Sequence, residues 1–420
     1  MNPFKIKPGN VEAMLMNWQT LTPMPYDKHT ADPYTKTRII LMNGTEFEAV
    51  WFSHQFSRHC GDNELRRQIA LMRRSEQQQQ KLIGALKPID ESILEHPIGY
   101  EQLAVDLTAA LAQREPDPNV KQALDFALLE DFDHLYRYAD LLDFDTGIKA
   151  ENLVGRYTEI MPGRPTIAHH RHPFDSIKQH ICSRSAAPET LLCTGIITAA
   201  EQQTMNYYMN VAPFYPNEYG RRLYREIGMV EEQHVSQYGS LMDTGMTWLE
   251  GLLCHQYAEC YLYWSAMETE VDPRIKGIWE MLLEQEIAHL HMAEDLLRRY
   301  EGKDHTQVIG EGAFPEALSL TSNIDYVRNI LGNTVNLTAC RKSYTPVENL
   351  APNADFFHYQ SIVHPTPADV ESHTFIEKYI GMKGQDYRFE TAPNPVPALR
   401  DRTMDNADVG RVPGADKAGE

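Results

Sequence analysis

The chain holds no C-x-x-C pair. Its six cysteines, Cys60, Cys182, Cys193, Cys254, Cys260 and Cys340, are scattered. That argues against a rubredoxin-type iron site and a zinc ribbon, and reduced, mostly buried thiols are the expectation. Positive charge is short as well. Lys and Arg number 39 against 59 Asp and Glu, a formal net charge of −20. No basic excess is available to neutralise phosphates, so no nucleic-acid partner is expected. Long apolar runs are missing, both at the N-terminus (MNPFKIKPGNVEAML) and later. Neither a signal peptide nor a membrane span is therefore expected, which points to a cytoplasmic location with no membrane partner. The remaining composition, 42% hydrophobic and 23% charged, is that of a soluble globular protein. At 420 residues the chain can form one large helical bundle with appendages.

The pattern along the chain suggests four regions. Residues 1–60 read as a separate segment containing a β-hairpin, because RIILM and TEFEAVW flank Asn43-Gly44 between Thr37 and Phe52. Residues 61–301 read as a helical domain. A polar helix is expected at 63–85, then helices at 98–113, 118–144, 188–211, 216–241, 246–270 and 273–300. Pro118, Pro216 and Pro273 sit near helix starts, where a missing N–H is harmless. Residues 302–389 read as an irregular extension with short helices near 322–331 and 366–380, and 390–420 as a disordered tail. The strings EPDPNVK (115–121) and EVDPRIK (270–276) both open the second helix of a hairpin. A shift of 155 residues superposes them and carries Asp131 to Glu286 and His134 to His289, the mark of an internal repeat.

A carboxylate followed one helical hairpin later by acid-x-x-His occurs three times: Glu101 with Asp131 and His134, Glu201 with Glu231 and His234, Glu259 with Glu286 and His289. Residues three apart on a helix share a face, so each acid-x-x-His aims an oxygen and an imidazole the same way. The single glutamate on the partner helix adds a third ligand. Two such hairpins face to face make a cage of four carboxylates and two histidines. Each acid lies mid-helix in an apolar stripe, for example Leu124, Ala127, Asp131, His134, Tyr138 and Leu141. Ionised carboxylates buried together repel and are costly to desolvate, and a metal pair removes that cost.

These motifs resemble the ferritin-like di-iron carboxylate superfamily, which includes rubrerythrins, ferritins and di-iron oxygenases. The resemblance covers residues 98–301. It implies a mainly α fold, a ferritin-like antiparallel helical bundle built here from three hairpins. It implies two iron ions, or manganese or a mixed pair. The lone glutamates would be mostly terminal ligands, the acid of each acid-x-x-His a bridge, and each histidine a ligand to one ion. Two departures stand out: three hairpins where the family needs two, and Asp131 where glutamate is usual. The implied reaction is oxidoreduction with O2 or peroxide, with an oxidase or oxygenase favoured. A small organic substrate is an option, and a separate electron-donor protein is expected because no C-x-x-C domain is present. The rival expectations are a ferroxidase or peroxide scavenger, and a non-catalytic binding or scaffold module with a vestigial site.

Which two hairpins meet stays open. In the ferritin-like topology one link must run the length of the bundle, about 37 Å for a 25-residue helix. Residues 145–187 can do that and 242–245 cannot, which pairs hairpin one with two or three. Strict Glu-x-x-His spelling favours two with three instead. The unpaired hairpin would then complete a second site across a homodimer. His255, one turn before Glu259, reads as a core histidine or an additional ligand. His169, His170 and His172 read as a solvated loop or a surface metal or anion site. Tyr207, Tyr208, Tyr238, Tyr257, Tyr261, Tyr263 and Trp264 read as packing around the centre, or as a radical relay.

Overall fold

Aspartate-proline pairs open three of the long helices. In the computed structural model, which describes residues 1–160, 169–365 and 371–384, α1 (Pro33–His59) is capped by Asp32, whose side chain accepts from Tyr34 N. Helix α2 spans Asn63–Gly84 and α3 spans Glu95–Arg114. Helix α4 (Pro118–Thr146) is capped by Asp117, and α5 is the short Glu151–Val154. Four more long helices follow: α6 (Pro188–Val211), α7 (Glu218–Leu241), α8 (Trp248–Thr269) and α9 (Pro273–Glu301). Asp272 caps α9 through Arg274 N and Ile275 N, just as Asp117 caps α4 through Asn119 N and Val120 N. The repeat reaches the far ends too. Both helices run 29 residues and stop at a left-handed glycine, Gly147 (φ 70°) and Gly302 (φ 68°), the residue such a cap favours.

The expected hairpin at 37–52 does not form; those residues are helical and belong to α1. Asn43-Gly44 marks a close approach of two helices instead of a turn. Asn43 Nδ2 donates to Gln203 Oε1 at 2.6 Å, and Gln203 Nε2 donates to Ile40 O at 2.8 Å. A Cβ on Gly44 would lie 2.8 Å from Gln203 Nε2. Helix α1 pairs with α2 and packs on α3, α6 and α8, so the first sixty residues share the core of the following helices. The strands among the described residues lie near the other end: β1 (Leu337–Cys340) pairs antiparallel with β2 (Ser343–Pro346), Leu337 opposite Pro346. They sit between α10 (Ile324–Thr334) and α11 (Asp355–Val363), and α12 spans Glu371–Lys383. The expected tail at 390–420 lies outside the described residues. Among those described, no helix is long and apolar enough to cross a membrane.

Four helical hairpins thus form the body: α1–α2, α3–α4, α6–α7 and α8–α9. The middle two face each other, with α3 on α6 and α4 on α7. The outer two come from opposite ends of the helical region, and α1 meets α8 while α2 meets α9. One continuous apolar core runs through all of them. At the start of α7, Gly220 leaves room for the buried ring of Tyr215, whose hydroxyl donates to Asp145. A Cβ there would stand 1.9 Å from Tyr215 Cε1. Gly220→Ala is expected to destabilise the fold by about 1–3 kcal/mol by overpacking. An unchanged urea midpoint would mean that the ring moves aside without cost.

Candidate metal centre

The facing middle hairpins bring six ligand-type side chains to one place, all essentially inaccessible to solvent. Helix α3 carries Glu101, α4 Asp131 and His134, α6 Glu201, and α7 Glu231 and His234. They form two overlapping groups. Glu101, Asp131, His134 and Glu231 make one, and Asp131, Glu201, Glu231 and His234 the other, each with its ligand atoms within 4.8 Å of one another. Asp131 and Glu231 belong to both, so the shorter aspartate still reaches the middle. His134 Nδ1 lies 2.8 Å from Glu231 Oε1, and His234 Nδ1 lies 3.3 Å from Glu231 Oε2 and 3.2 Å from Asp131 Oδ1. These approaches lack hydrogen-bond alignment. Glu101 Oε2, Asp131 Oδ1, both oxygens of Glu201 and Glu231, and both Nδ1 atoms have no hydrogen-bond partner. Convergent, buried, unsatisfied donors of this kind fit cations.

Electrostatics agree with the geometry. Burial first, and neighbouring carboxylates second, push the Glu101 and Glu201 carboxyls well above the usual range. Burial acts to raise Glu231 too, but the imidazoles of His134 and His234 outweigh it and hold that carboxyl below its ordinary value. Burial lowers His234, yet Asp131, Glu130 and Glu201 beside it lift its pKa well above normal. Buried carboxylates this close together favour added positive charge, which metal ions supply in such a site.

Around these six stands a supporting layer that the sequence did not disclose. His234 Nε2 lies 2.8 Å from Glu130 Oε2, and Arg171 Nη1 donates to both oxygens of Glu130 at 3.1 and 3.0 Å. A carboxylate behind a ligating histidine fixes the ring and its tautomer. Glu130→Gln keeps all six inner residues and should weaken metal binding by about 10–100-fold; competition with a fluorescent chelator would measure this, and unchanged affinity would exclude a positioning role. Tyr208 OH donates to Glu101 Oε1 at 2.5 Å, which turns Oε2 to the centre, and Thr108 lies 3.4 Å from Asp131 Oδ2. The 169–172 segment is not the solvated loop expected. His169 and Arg171 are buried, the His169 ring packs edge-on to His134 at 5.8 Å, and His170 Nε2 is 3.4 Å from Glu226. His172 accepts from Phe174 N and heads a short helical turn.

Hairpin three does not reach this centre. Glu259, Glu286 and His289 face α1 and α2 of the same chain, not a second copy. There they meet Glu46, Glu76 and Gln79, all buried. Thirty residues separate Glu46 from Glu76, with Gln79 three later, and a shift of 55 superposes them on Glu101, Asp131 and His134. A fourth copy of the motif therefore exists with glutamine in place of histidine. The amides serve as donors: Gln79 Nε2 to Glu286 Oε1 at 2.7 Å, and Gln256 Nε2 to Glu76 Oε1 at 3.0 Å and Glu259 Oε2 at 2.6 Å. Tyr263 OH donates to Glu46. Tyr257 and Tyr261 donate to the carbonyls of Ala313 and Glu316, and Trp264 stacks on Phe314. Those three belong to the outer hairpins, whereas Tyr208 and Tyr238 line the centre. His255 packs on Phe52 and bonds to none of the six inner residues.

No protein-family model, curated protein or solved structure matches this chain. What stands is a mainly helical protein with a buried carboxylate and histidine cluster suited to metal.

Proposed function

We propose that the centre holds a pair of iron or manganese ions and that the protein is an oxidoreductase acting with O2 or peroxide, an oxidase or oxygenase in the ferritin-like di-metal class. One observation carries the reading: two ligand groups share Asp131 and Glu231, with one histidine and one further glutamate at each end. Four carboxylates and two imidazoles make a hard shell suited to iron(II) or manganese(II). A bound pair would supply redox change and an open position for dioxygen or peroxide. The chain's own residues do the rest. Asp131 and Glu231 would span both positions, Glu101 with His134 and Glu201 with His234 would close the ends, and Glu130 with Arg171 would fix His234. Burial of all six excludes bulk water. A separate electron-donor protein and a small organic substrate complete the proposal.

The test is metal content by plasma mass spectrometry on protein from iron- and manganese-fed cells, followed by oxygen uptake after anaerobic iron(II) addition. About two ions per chain with iron-dependent uptake is the expected result. No metal after iron(II) addition would leave the rival reading, a helical scaffold module. The ionic contacts of His234 with Glu130 and Asp131 would then be a self-neutralised core.

A further inference from the structure

A cavity of 660 Å³ opens between α1, α6 and α8, and none of the six metal-centre residues lines it. That volume lies within the roughly 300–1,000 Å³ range of small-molecule sites. Its apolar lining includes Leu191, Ile196 and Leu262. An aromatic wall faces them. Trp248 stacks on Phe56 and His59, with ring centres at 5.7 and 5.3 Å, and Phe52 lies 5.4 Å from Trp248.

The charges are one-sided. Glu48, Asp243 and Glu301 line the cavity, and among the described residues no lysine or arginine does. Two of the acids are committed elsewhere. Asp243 accepts from Ser183 and from Gly245 N, and Glu301 pairs with Lys303 at 2.9 Å. The threonines are committed as well, Thr45 to Leu41 O, Thr194 to Thr190 O, and Thr247 as acceptor from Glu250 N. Glu48 is not. Its Oε2 is shut off from bulk water and has no hydrogen-bond partner, and burial alone pushes the carboxyl up to about 7. His255 offers no cation, because burial pushes its pKa down to about 4 and leaves the ring neutral.

We propose that this cavity binds an organic ammonium ion with an apolar body, the nitrogen on Glu48 and the body against Phe52, Phe56 and Trp248. A buried carboxylate without a partner is costly, and a cation with N–H donors relieves it. Aromatic faces attract the same charge. A carboxylate ligand would meet the unpaired Glu48 and no lysine or arginine among the described lining residues.

Titration calorimetry on the full chain with phenylbutylammonium, phenylbutanol and phenylbutanoate tests this. The ammonium ion should bind at least about tenfold tighter than the alcohol, and the carboxylate weakest. Glu48→Gln should erase the preference for ammonium while leaving alcohol binding in place. Trp248→Ala should weaken ammonium binding at least about threefold, and it decides the matter if Glu48→Gln does not fold. Equal binding of the carboxylate, an ammonium preference that survives Glu48→Gln, or no binding of any of the three overturns the proposal. Because none of the six metal-centre residues lines the cavity, a null result here leaves the metal count untouched.

Discussion

Glu231→Ala is expected to abolish metal binding. Wild-type protein should carry about two ions per chain and the variant fewer than about one-half. The reason is position. Glu231 belongs to both ligand groups and approaches both histidines, so its loss opens each end at once. Added metal stabilises a native state that binds it, by roughly 2.7 kcal/mol at a hundredfold excess over Kd. That gain should appear in wild-type melting curves and vanish in the variant. Glu232→Ala is the control, since Glu232 is exposed and accepts from Ser236. Glu286→Gln should also leave the count unchanged, because Glu286 belongs to the outer cluster. A Glu231→Ala protein that still binds two ions would show that the middle hairpins are not the site.

Arg171→Ala is expected to lower stability by about 3–5 kcal/mol, the cost of leaving one member of a buried ion pair behind. Arg171 and Glu130 are both closed to solvent, and two hydrogen bonds join them. The guanidinium also lies 5.2 Å from the Phe126 ring. Urea unfolding reads the loss directly. The double replacement Arg171→Met with Glu130→Leu should recover much of it, since no charge then stays buried alone. The double variant should still bind metal weakly, because His234 has lost its support. A single variant as stable as wild type would mean that Glu130 is rescued by water.

The long helices were legible because their ends carry explicit chemistry. Helix 188–211 was expected at its observed limits, and the Asp-Pro starts at 117–118 and 272–273 located two more. The inward faces of Asp131, His134, Glu231 and His234 followed from apolar neighbours one turn away. The long 145–187 link correctly joined hairpin one to another hairpin, but which one depended on packing that no local pattern encodes. The α1–α2 hairpin was missed for two physical reasons. Asn43-Gly44 imitates a turn, whereas it serves a close contact with Gln203. Gln79 replaces the histidine that would have revealed Glu46 and Glu76. The His-rich 169–172 segment looked wet because composition cannot show that Arg171 has a buried partner.

The two clusters differ in how far apart along the chain their halves lie. The centre joins α3–α4 to α6–α7, neighbours in sequence, while the outer cluster joins α1–α2 to α8–α9 across the whole middle of the chain. Loop closure costs more as the loop lengthens, and contacts distant in sequence form late. On a ribosome, the centre's helices are all synthesised before α8 emerges, and α1–α2 must wait with Glu46 and Glu76 uncovered. Pulsed hydrogen exchange should therefore protect α3, α4, α6 and α7 before α1 and α2. The order of birth would thus let the metal-binding half mature first and serve as the template on which the two ends of the helical body close.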